Sequence, residues 1–396
     1  MQKAVSDSET QVKDWLAGQG DAMVKLLAEL VNTDSGSYDK QGVDAAGEVL
    51  KRFFTAEGLS LETVAQERYG DQIRATLDHP HANDRRPIIL MGHRDTVFPK
   101  GEPQRRPFRI ENRRGYGPGV CDMKAGLVMN AFVLAALKRF GGHPGPVVAL
   151  VTSDEEIASP SSRPVIEAQA RGARAVFNSE PSRVGHKITS GRKGGVFSRC
   201  DVTGKAAHSG ANFEQGISAI EELARKIPEF HKITDLSRGT TVNIGLIGGG
   251  QTVNTVAPSA WCEIDMRYVR VKDRDDAVAA IRKIAETCTV PGATSTFTIK
   301  GEFLPLEQTP EARALYDLYS SAAAEAGFQV SAEFTGGCAD SGYTAAQGCP
   351  TLCSVGPVGG KAHTPDEFLE IDSMVPSAQA LALSVMRLRE GVLPPG

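Results

Sequence analysis

The 396-residue chain is long enough to bury large hydrophobic cores, and its length favours two domains. Hydrophobic residues make up 41% of it and charged residues 23%, the composition of an ordinary soluble protein. The formal net charge of −4 gives no general attraction to nucleic acid or to an anionic membrane, so neither is expected as a partner.

No apolar run approaches the roughly 20 residues needed to cross a bilayer, so no membrane-spanning segment is expected. Residues 1–7 lack the apolar core of a signal peptide. The expected location is therefore cytoplasmic, with secretion as the alternative if a signal peptide has been removed. The seven cysteines are odd in number, scattered and without Cys-x-x-Cys spacing, which argues against a disulfide framework and against a thiolate zinc site.

The first part of the chain is predicted to form two helices and three strands. The helices span Ser8–Val31, where two glycines can introduce a break, and Val43–Glu57, which ends at Gly58 as a helix with a C′ glycine does. The strands cover residues 63–64, 73–77 and 88–91. The third strand, Ile88–Met91, is apolar throughout and is stopped by Gly92.

His93 and Asp95 follow this third strand. Residues two apart on an extended chain point to the same side, so both side chains can enter one cleft. In an open α/β sheet, ligands bind just beyond the carboxyl ends of the strands. An imidazole there can ligate a metal while a neighbouring acid orients its ring. His93 alone is equally consistent with a loop or core histidine, so the strand ends that follow decide the matter.

Similar positions recur along the chain. Asp122 follows a glycine-rich turn and precedes the apolar helix Ala125–Phe140, where the helix dipole favours an anion, although Asp122 could also be a simple N-cap. The buried strand at 147–152 leads to Glu155 and Glu156, and the strand at 175–179 leads to Glu180. This alternation of strands and helices predicts an α/β fold with a doubly wound mixed sheet.

The pattern changes at residue 192 to the order β-α-β-β-α-β. The strands are predicted at residues 196–203, 240–246, 261–269 and 296–300, and the helices at 216–226 and 274–287. This order is that of a ferredoxin-like α+β domain inserted into the first domain. We therefore assign residues 1–191 and 304–396 to a catalytic domain and residues 192–303 to the inserted domain.

After the insert the helical pattern of the first domain resumes. Helices are predicted at Pro310–Gly327 and at residues 376–389, and the segment beginning at Gly336 and Gly337 is predicted to open a further helix. A last strand at residues 351–355 leads to His363.

Five strand ends or loops thus carry one set of metal-binding residue types, namely His93, Asp122, Glu155 with Glu156, Glu180 and His363. Each residue alone has an ordinary interpretation, but five corresponding positions by chance are much less expected. Two histidines and three carboxylates suit two divalent ions bridged by one carboxylate. A nitrogen and oxygen set without thiolate fits zinc, with cobalt and manganese as alternatives. One of the paired glutamates can ligate while its neighbour takes a proton from the attacking water.

Five motifs follow one another in a fixed order along nearly the whole chain. They are Gly92-His93-Arg94-Asp95-Thr96-Val97, Gly117-Pro118-Gly119-Val120-Cys121-Asp122-Met123-Lys124, Asp154-Glu155-Glu156, Ser179-Glu180-Pro181 and His363-Thr364-Pro365-Asp366. Together they resemble the zinc-dependent peptidase and deacylase family that includes aminoacylase-1, the acetylornithine and succinyl-diaminopimelate deacylases and the glutamate carboxypeptidases. The sequence is most similar to the glutamate carboxypeptidase branch, partly through Gly204-Lys205-Ala206-Ala207-His208-Ser209-Gly210.

The resemblance implies a role for each matched residue. Asp122 would bridge two zinc ions, with His93 and Glu180 completing one site and Glu156 and His363 the other. Glu155 would be the general base, and Asp95 would orient His93. The inserted domain would mediate homodimerisation, close over the metals as a lid, and supply His208, with Asn254 and Arg267, to the substrate of the partner subunit.

Several residues are candidates for contacts to a substrate carboxylate. Arg267, Lys187 and the predicted helix start at Gly336 and Gly337 are the candidates. In glutamate carboxypeptidases the strand that leaves the inserted domain typically carries an arginine that binds the terminal carboxylate of the substrate. In this sequence that position, near residues 300–302, is occupied by Glu302. Acceptance of a C-terminal glutamate is therefore open.

The sequence as a whole predicts dinuclear metal-dependent hydrolysis of an amide bond in an N-acyl amino acid or a short peptide. The alternatives are an aminoacylase or deacetylase, or a di- or aminopeptidase in which Glu302 meets a substrate ammonium group. A catalytically silent binding protein on the same scaffold is disfavoured because the five ligands and Glu155 are all present.

Overall fold

The structure, a computed structural model, describes residues 2–389 and 391–393, with side chains from residue 7 onward. The chain divides into two compact units. The first comprises the residues up to Gly191, Gln308–Phe334 and the residues from Ala339, and the second comprises Arg192–Glu307 and Thr335–Cys338. The division drawn from the sequence ends the insert at residue 303 and leaves the short segment 335–338 in the first domain.

The helices and strands are numbered in chain order. The helices are α1 Gln2–Ala17, α2 Gly20–Val31, α3 Lys40–Ala56, α4 Glu102–Arg105, α5 Ala125–Phe140, α6 Ser162–Ala170, α7 Ala219–His231, α8 Val271–Glu286, α9 Pro310–Glu325, α10 Ser341–Ala345 and α11 Met374–Arg387. The strands are β1 Ser60–Val64, β2 Gln72–Leu77, β3 Ile88–His93, β4 Arg109–Glu111, β5 Arg114–Tyr116, β6 Val147–Thr152, β7 Ala175–Asn178, β8 Pro181–Arg183, β9 Lys187–Arg192, β10 Gly194–Thr203, β11 Thr241–Gly249, β12 Ser259–Tyr268, β13 Thr294–Phe303, β14 Ser331–Thr335, β15 Thr351–Cys353, β16 Gly356–Gly360 and β17 Phe368–Glu370.

In the part of the chain that the structure describes, thirteen strands form one mixed sheet. Their order is β1-β2-β6-β3-β7-β15-β9-β8-β16-β17-β5-β4, and β14 pairs with β9. The neighbours β6, β3, β7 and β15 run parallel, whereas β1, β2, β4 and β5 join the sheet in antiparallel pairs. The predicted mixed α/β class is therefore confirmed. Because parallel strands end at the same edge, the segments after β3, β6 and β7 lie next to one another.

The long helix α5 is the centre of the hydrophobic core, and every residue from Ala125 to Leu137 is buried. By length and composition alone, Val120–Phe140 is apolar enough to cross a membrane, against the expectation drawn from the sequence. Its most apolar window is 94% buried inside the fold, so the segment packs as a core helix. The core around it is lined by β3, β6 and the C-terminal helix α11.

The second unit contains a four-stranded antiparallel sheet in the order β11-β12-β10-β13, with α7 and α8. The predicted order β-α-β-β-α-β is therefore present. Buried and half-buried residues alternate along β12, as expected for a sheet with one face on a core. The helix α7 begins at Ala219 rather than at the predicted residue 216, because Ser218 caps it by accepting a hydrogen bond from the Glu221 amide at 3.2 Å.

Candidate metal centre

The last residue of β3, His93, lies at the edge where parallel strands end. In the parallel ladders it is paired with Thr152, the last residue of β6, and Met91 is paired with Asn178, the last residue of β7. The segments that continue from β6 and β7 carry Glu155, Glu156 and Glu180. Neighbouring parallel strands thus deliver acids from two other parts of the chain to one histidine.

The first cluster consists of His93, Asp122 and Glu180. The Nε2 atom of His93 is 3.2 Å from Oδ1 of Asp122 and 3.6 Å from Oε1 of Glu180. One nitrogen and two carboxylate oxygens of the three residues lie within 4.8 Å of one another, close enough to share one ion. The cluster is shielded from solvent, since only 1% of the His93 side chain is exposed.

The second cluster consists of Asp122, Glu156 and His363. The Nε2 atom of His363 is 3.3 Å from Oδ2 of Asp122 and 3.0 Å from Oε2 of Glu156. These ligand atoms also lie within 4.8 Å of one another. In contrast to His93, the His363 side chain is 53% exposed.

Asp122 belongs to both clusters through different oxygens, Oδ1 toward His93 and Oδ2 toward His363. It lies just before the buried helix α5, in a turn where its backbone φ of −110° and ψ of 92° are not helical. The structure therefore brings all five residues predicted as ligands together, with one carboxylate between the two histidines. This is the arrangement in which one carboxylate bridges two cations.

Asp95 is fully buried behind the first cluster. Its carboxylate Oδ1 is 3.3 Å from Nδ1 of His93, so it lies where the predicted orienting acid is needed. The same carboxylate accepts hydrogen bonds from the backbone amides of Glu155 at 3.1 Å and Glu156 at 3.2 Å, and from the Ser37 hydroxyl at 2.7 Å. Asp95 thus positions the histidine of one cluster and the glutamate pair together.

Glu155 is in neither cluster. Its Oε2 atom is 3.9 Å from Nε2 of His93, and the residue is 8% exposed. Burial, together with the neighbouring carboxylates, raises the pKa of Glu155 well above its ordinary value. An acid that is close to the ligands but not among them, and that binds protons readily, is suited to proton transfer.

The electrostatics of the centre favour cations. Burial alone would lower the pKa of His93, but hydrogen bonds to Asp122 and Asp95 raise it well above its ordinary value. Hydrogen bonds to Asp122 and Glu156 raise the pKa of His363 to about 10, and burial raises the pKa of Glu156 to about 7. Both imidazoles attract protons because carboxylates surround them, and the same negative charge attracts metal ions. The nitrogen and oxygen donors without thiolate therefore fit hard to borderline divalent cations.

Two buried acids at the centre were not predicted from the sequence. Glu367 is fully buried and accepts hydrogen bonds from the turn that carries Asp122. Asp340 is 2% exposed, and its carboxyl accepts a hydrogen bond from the Ser159 hydroxyl at 2.5 Å, behind the Glu155 segment. Burial raises the pKa of Asp340 to about 7. The only sequence signal for Glu367 was its place directly after the His363 motif.

In the second unit, the structure brings the loops of His208 and Asn254 side by side. The Ser209 amide donates to the Asn254 carbonyl at 3.0 Å, and residues 208 and 255 form an isolated antiparallel bridge. The exposed His208 ring accepts hydrogen bonds at Nδ1 from the amides of Gly210 at 3.1 Å and Ala211 at 3.2 Å. A neutral imidazole with an accepting Nδ1 carries its proton on Nε2.

One of the predicted carboxylate contacts requires a correction, and the other two stay predictions. Gly336 and Gly337 do not open a helix, because α10 begins only at Ser341 and the Gly337 amide donates to the Thr335 hydroxyl at 3.2 Å. Arg267 pairs with Asp265 at 2.7 Å and donates to the Cys338 sulfur at 2.8 Å. Lys187 lies exposed at the start of β9 and belongs to neither cluster.

Glu302 has a partner that was not predicted from the sequence. Its carboxylate accepts a hydrogen bond from Nε of Arg274 at 2.5 Å, and its side chain is 14% exposed. A cation of the same unit therefore pairs with Glu302 in this structure, and the contact of Glu302 with a substrate ammonium group stays a prediction. The negative charge that replaces the family arginine is compensated within the insert.

A mixed α/β sheet that gathers two histidines and three carboxylates beyond its strand ends has the features of a metal-dependent hydrolase. The chain belongs to the peptidase family M20/M25/M40, whose family model matches residues 89–387. This family consists of metal-dependent peptidases and deacylases that cleave amide bonds, and the chain is a hydrolase of this kind. The resemblance expected from the motifs is confirmed.

Relatives and solved structures cover nearly the whole chain. It is 30% identical over 379 residues to carboxypeptidase G2 from Pseudomonas sp. strain RS-16, covering 93% of this chain and 90% of that protein. It is 26% identical over 381 residues to acetylornithine deacetylase from Vibrio campbellii, covering 90% and 94%. An M20 family metallo-carboxypeptidase from Sulfolobus solfataricus has the same fold, with a TM-score of 0.75 at 18% identity over 92% of this chain and 99% of that chain.

Proposed function

We propose that the chain hydrolyses amide bonds of N-acyl amino acids or short peptides with two zinc ions per subunit. The observation that carries this proposal is the position of Asp122, whose two oxygens face two different histidines. His93 and Glu180 would hold one ion, Glu156 and His363 the other, and Asp122 both. Zinc is favoured by the donor set, with cobalt and manganese as alternatives. When bound, such ions polarise the scissile carbonyl and acidify the attacking water.

In this proposal Glu155 is the general base. Its carboxylate takes one proton from the attacking water as the new C–O bond forms, and it later gives that proton to the amine nitrogen as the C–N bond breaks. Asp95 supports this role, since its carboxylate holds the Glu155 amide at 3.1 Å and fixes the start of the segment. A buried carboxylate with a raised pKa is a stronger base than an exposed one, so it takes the proton of the attacking water more readily.

His208 is proposed as the hydrogen-bond donor to the oxyanion. Its Nδ1 atom is occupied by the Gly210 and Ala211 amides, so the neutral ring offers Nε2–H on an exposed loop. We propose that this donor acts in the active site of the partner subunit, with Asn254 beside it. Arg267 remains a proposed substrate contact, although Asp265 holds one side of its guanidinium.

We propose that the second unit forms a homodimer and closes as a lid. Its edge strand β11 is nine residues long and pairs only on the side of β12 among the described residues. Leu246 and Ile247 on this strand are 58% and 62% exposed. An unprotected edge with apolar side chains suits pairing with a second copy about a two-fold axis.

The relatives' names bear on the substrate. The names carboxypeptidase G2 and acetylornithine deacetylase describe a peptidase and a deacylase. We propose the same reaction class, hydrolysis of an amide bond, for this chain. A cavity of about 580 Å³ adjoins Glu156 and is lined by apolar groups that include Tyr38, Val97 and Phe98. The charged lining residues Asp39 and Lys100 pair with each other at 3.1 Å. This supports a substrate with a bulky uncharged group beside the scissile amide.

The test is a hydrolysis screen of N-acyl amino acids, dipeptides and N-aroyl glutamates. The protein is assayed after chelation and again after zinc is restored, with metal content measured in parallel. We expect about two zinc ions per chain and turnover that returns with zinc. A folded protein that binds no zinc and cleaves none of these amides would instead be a silent binding protein on the same scaffold.

A further inference from the structure

The buried carboxylate of Glu367 joins the two loops that carry Asp122 and His363. Its Oε1 atom accepts hydrogen bonds from the amides of Cys121 at 2.9 Å and Asp122 at 3.0 Å. Its Oε2 atom accepts one from the Gly119 amide at 3.1 Å. The residue is 0% exposed, so these amides replace all of its hydration. A carboxylate that accepts three backbone N–H groups is a strong and directional clamp.

Strand pairing places Glu367 at this point. It immediately precedes β17, whose first residue, Phe368, is paired with Tyr116 at the end of β5 and with Gly360 at the end of β16. The chain leaving β5 forms the glycine turn before Asp122, and the chain leaving β16 forms the loop of residues 361–367. Glu367 is the buried base of this loop, and His363 lies near its exposed tip.

The rest of the His363 loop is held mainly by its own turn, in which the Thr364 hydroxyl donates to the Lys361 carbonyl at 2.7 Å. His363 and Lys361 have φ values of +64° and +57°, and residues 363–366 are exposed. Outside the loop, the Pro365 carbonyl accepts a hydrogen bond from Nη1 of Arg106 at 2.6 Å. An exposed loop with left-handed residues keeps a fixed geometry only where such contacts hold it.

We infer that Glu367 is a positioning residue that sets the distance between Asp122 and His363, and thereby the affinity of the second metal cluster. This inference rests on the proposed function, since it concerns how tightly the proposed ions bind. Asp122 belongs to both clusters, but His93 and Glu180 of the first cluster are carried by β3 and by the segment after β7. In the second cluster both Asp122 and His363 lie on segments joined by Glu367. Loss of the clamp should therefore weaken the ion at His363 more than the ion at His93.

The experiment is a titration of metal-free protein with zinc, and with cobalt as a spectroscopic probe, for the wild type and Glu367→Gln. An amide has one accepting oxygen and places N–H donors against backbone N–H donors. We expect the ion at His363 to lose about 10–100-fold in affinity, while the ion at His93 loses less. Glu367→Asp keeps the charge on a shorter side chain. Its affinity for the ion at His363 should lie between the affinities of the wild type and of Glu367→Gln.

Glu222→Gln is the matched control. Glu222 is also 0% exposed, and it accepts hydrogen bonds from the amides of Thr289 at 2.8 Å and Val290 at 2.7 Å in the second unit. Its substitution should lower the unfolding temperature without changing either metal affinity. Equal affinities in Glu367→Gln and the wild type would overturn the inference, as would an equal loss in both variants. A wild type that binds no metal would instead refute the proposed function.

A second measurement does not depend on folding of the variant. In the metal-free wild type, hydrogen exchange of the amides of Gly119, Cys121 and Asp122 should be slow, because Glu367 accepts all three. Exchange of these amides as fast as that of the exposed amides of His363, Thr364 and Asp366 would also overturn the inference.

Discussion

The two clusters of the centre share Asp122, and each contains one histidine of its own, yet the fold supports them differently. The buried cluster takes His93 from the end of β3, in the middle of the large sheet, and 1% of that side chain is exposed. The exposed cluster takes His363 from a loop between β16 and β17, and 53% of that side chain is exposed. Equal chemistry therefore does not imply equal rigidity.

This difference bears on how the centre works. A metal-ligating residue at the end of a central strand is held in place by the backbone hydrogen bonds of the sheet. A metal-ligating residue on an exposed loop follows the motions of that loop. We expect the ion at His93 to be held firmly and the ion at His363 to exchange faster. Substitutions can separate the clusters, and the largest effect is expected at Asp122, the residue that they share.

Asp122→Ala should affect both clusters equally, because it removes the one residue that they share. Because each cluster uses one oxygen of this residue, the variant should lose both ions, and with them all measurable turnover. Metal analysis of the purified protein checks this result. Retention of about two ions per chain would show that Asp122 does not bridge them.

Glu155→Gln should leave both clusters intact and remove only proton transfer. We expect turnover to fall by about 10²–10⁴-fold while metal content and the unfolding temperature stay near those of the wild type. Steady-state kinetics and metal analysis of the same sample give the result. Near-normal turnover in a metal-replete variant would rule out Glu155 as the base.

His208→Ala tests whether the second unit completes the centre. Loss of one oxyanion donor should lower kcat by about 10²–10³-fold without affecting either ion. If His208 acts across a dimer, mixing this variant with Glu155→Gln creates one site with both residues intact, and activity should return as subunits exchange. Proven exchange without returning activity would place His208 in its own chain's site or outside catalysis.

The substitutions His93→Ala and His363→Ala compare the clusters directly. His363→Ala should lose one ion and release the other to a chelator at the wild-type rate. His93→Ala should lose the buried ion, and it should also unfold at a lower temperature, because it leaves a cavity and unpaired buried carboxylates. Identical release rates for both ions of the wild type would remove the basis of the comparison.

Between pH 4.5 and about 10, the stability of the metal-free protein should fall as pH rises. The folded-state pKa of Glu156 is raised from 4.5 to about 7, so its contribution is lost as pH increases through that range. The pKa of His363 is raised from 6.5 to about 10, so its contribution is present below pH 6.5 and lost toward pH 10. Metal ions compete with these protons, so the rise in unfolding temperature caused by zinc should grow with pH. Thermal unfolding with and without zinc measures this, and an opposite slope in the metal-free protein would contradict it.

The sequence was most informative where chemistry follows a local pattern. His93 and Glu180 come after continuous apolar strands, and Asp122 comes after a glycine-rich turn, so their shared edge could be predicted. The break between α1 and α2 at Gly18 and Gly20 could be predicted for the same local reason.

The sequence was least informative where a side chain is explained by distant partners. Glu367 accepts hydrogen bonds from residues 245, 246 and 248 positions away, and no local pattern indicates such a clamp. The pairing of Glu302 with Arg274 likewise depends on how β13 packs beside α8. The start expected at Gly336 was wrong because the Thr335 hydroxyl binds the Gly337 amide in an irregular loop.

Anomalous X-ray scattering at the zinc edge, on crystals of the zinc-loaded protein, tests the bridging role of Asp122 most directly. We predict two peaks about 3.5–4 Å apart. One should lie beside His93 and Glu180 and the other beside Glu156 and His363, with one Asp122 oxygen on each. A single peak, or two peaks of which only one contacts Asp122, would contradict the dinuclear centre.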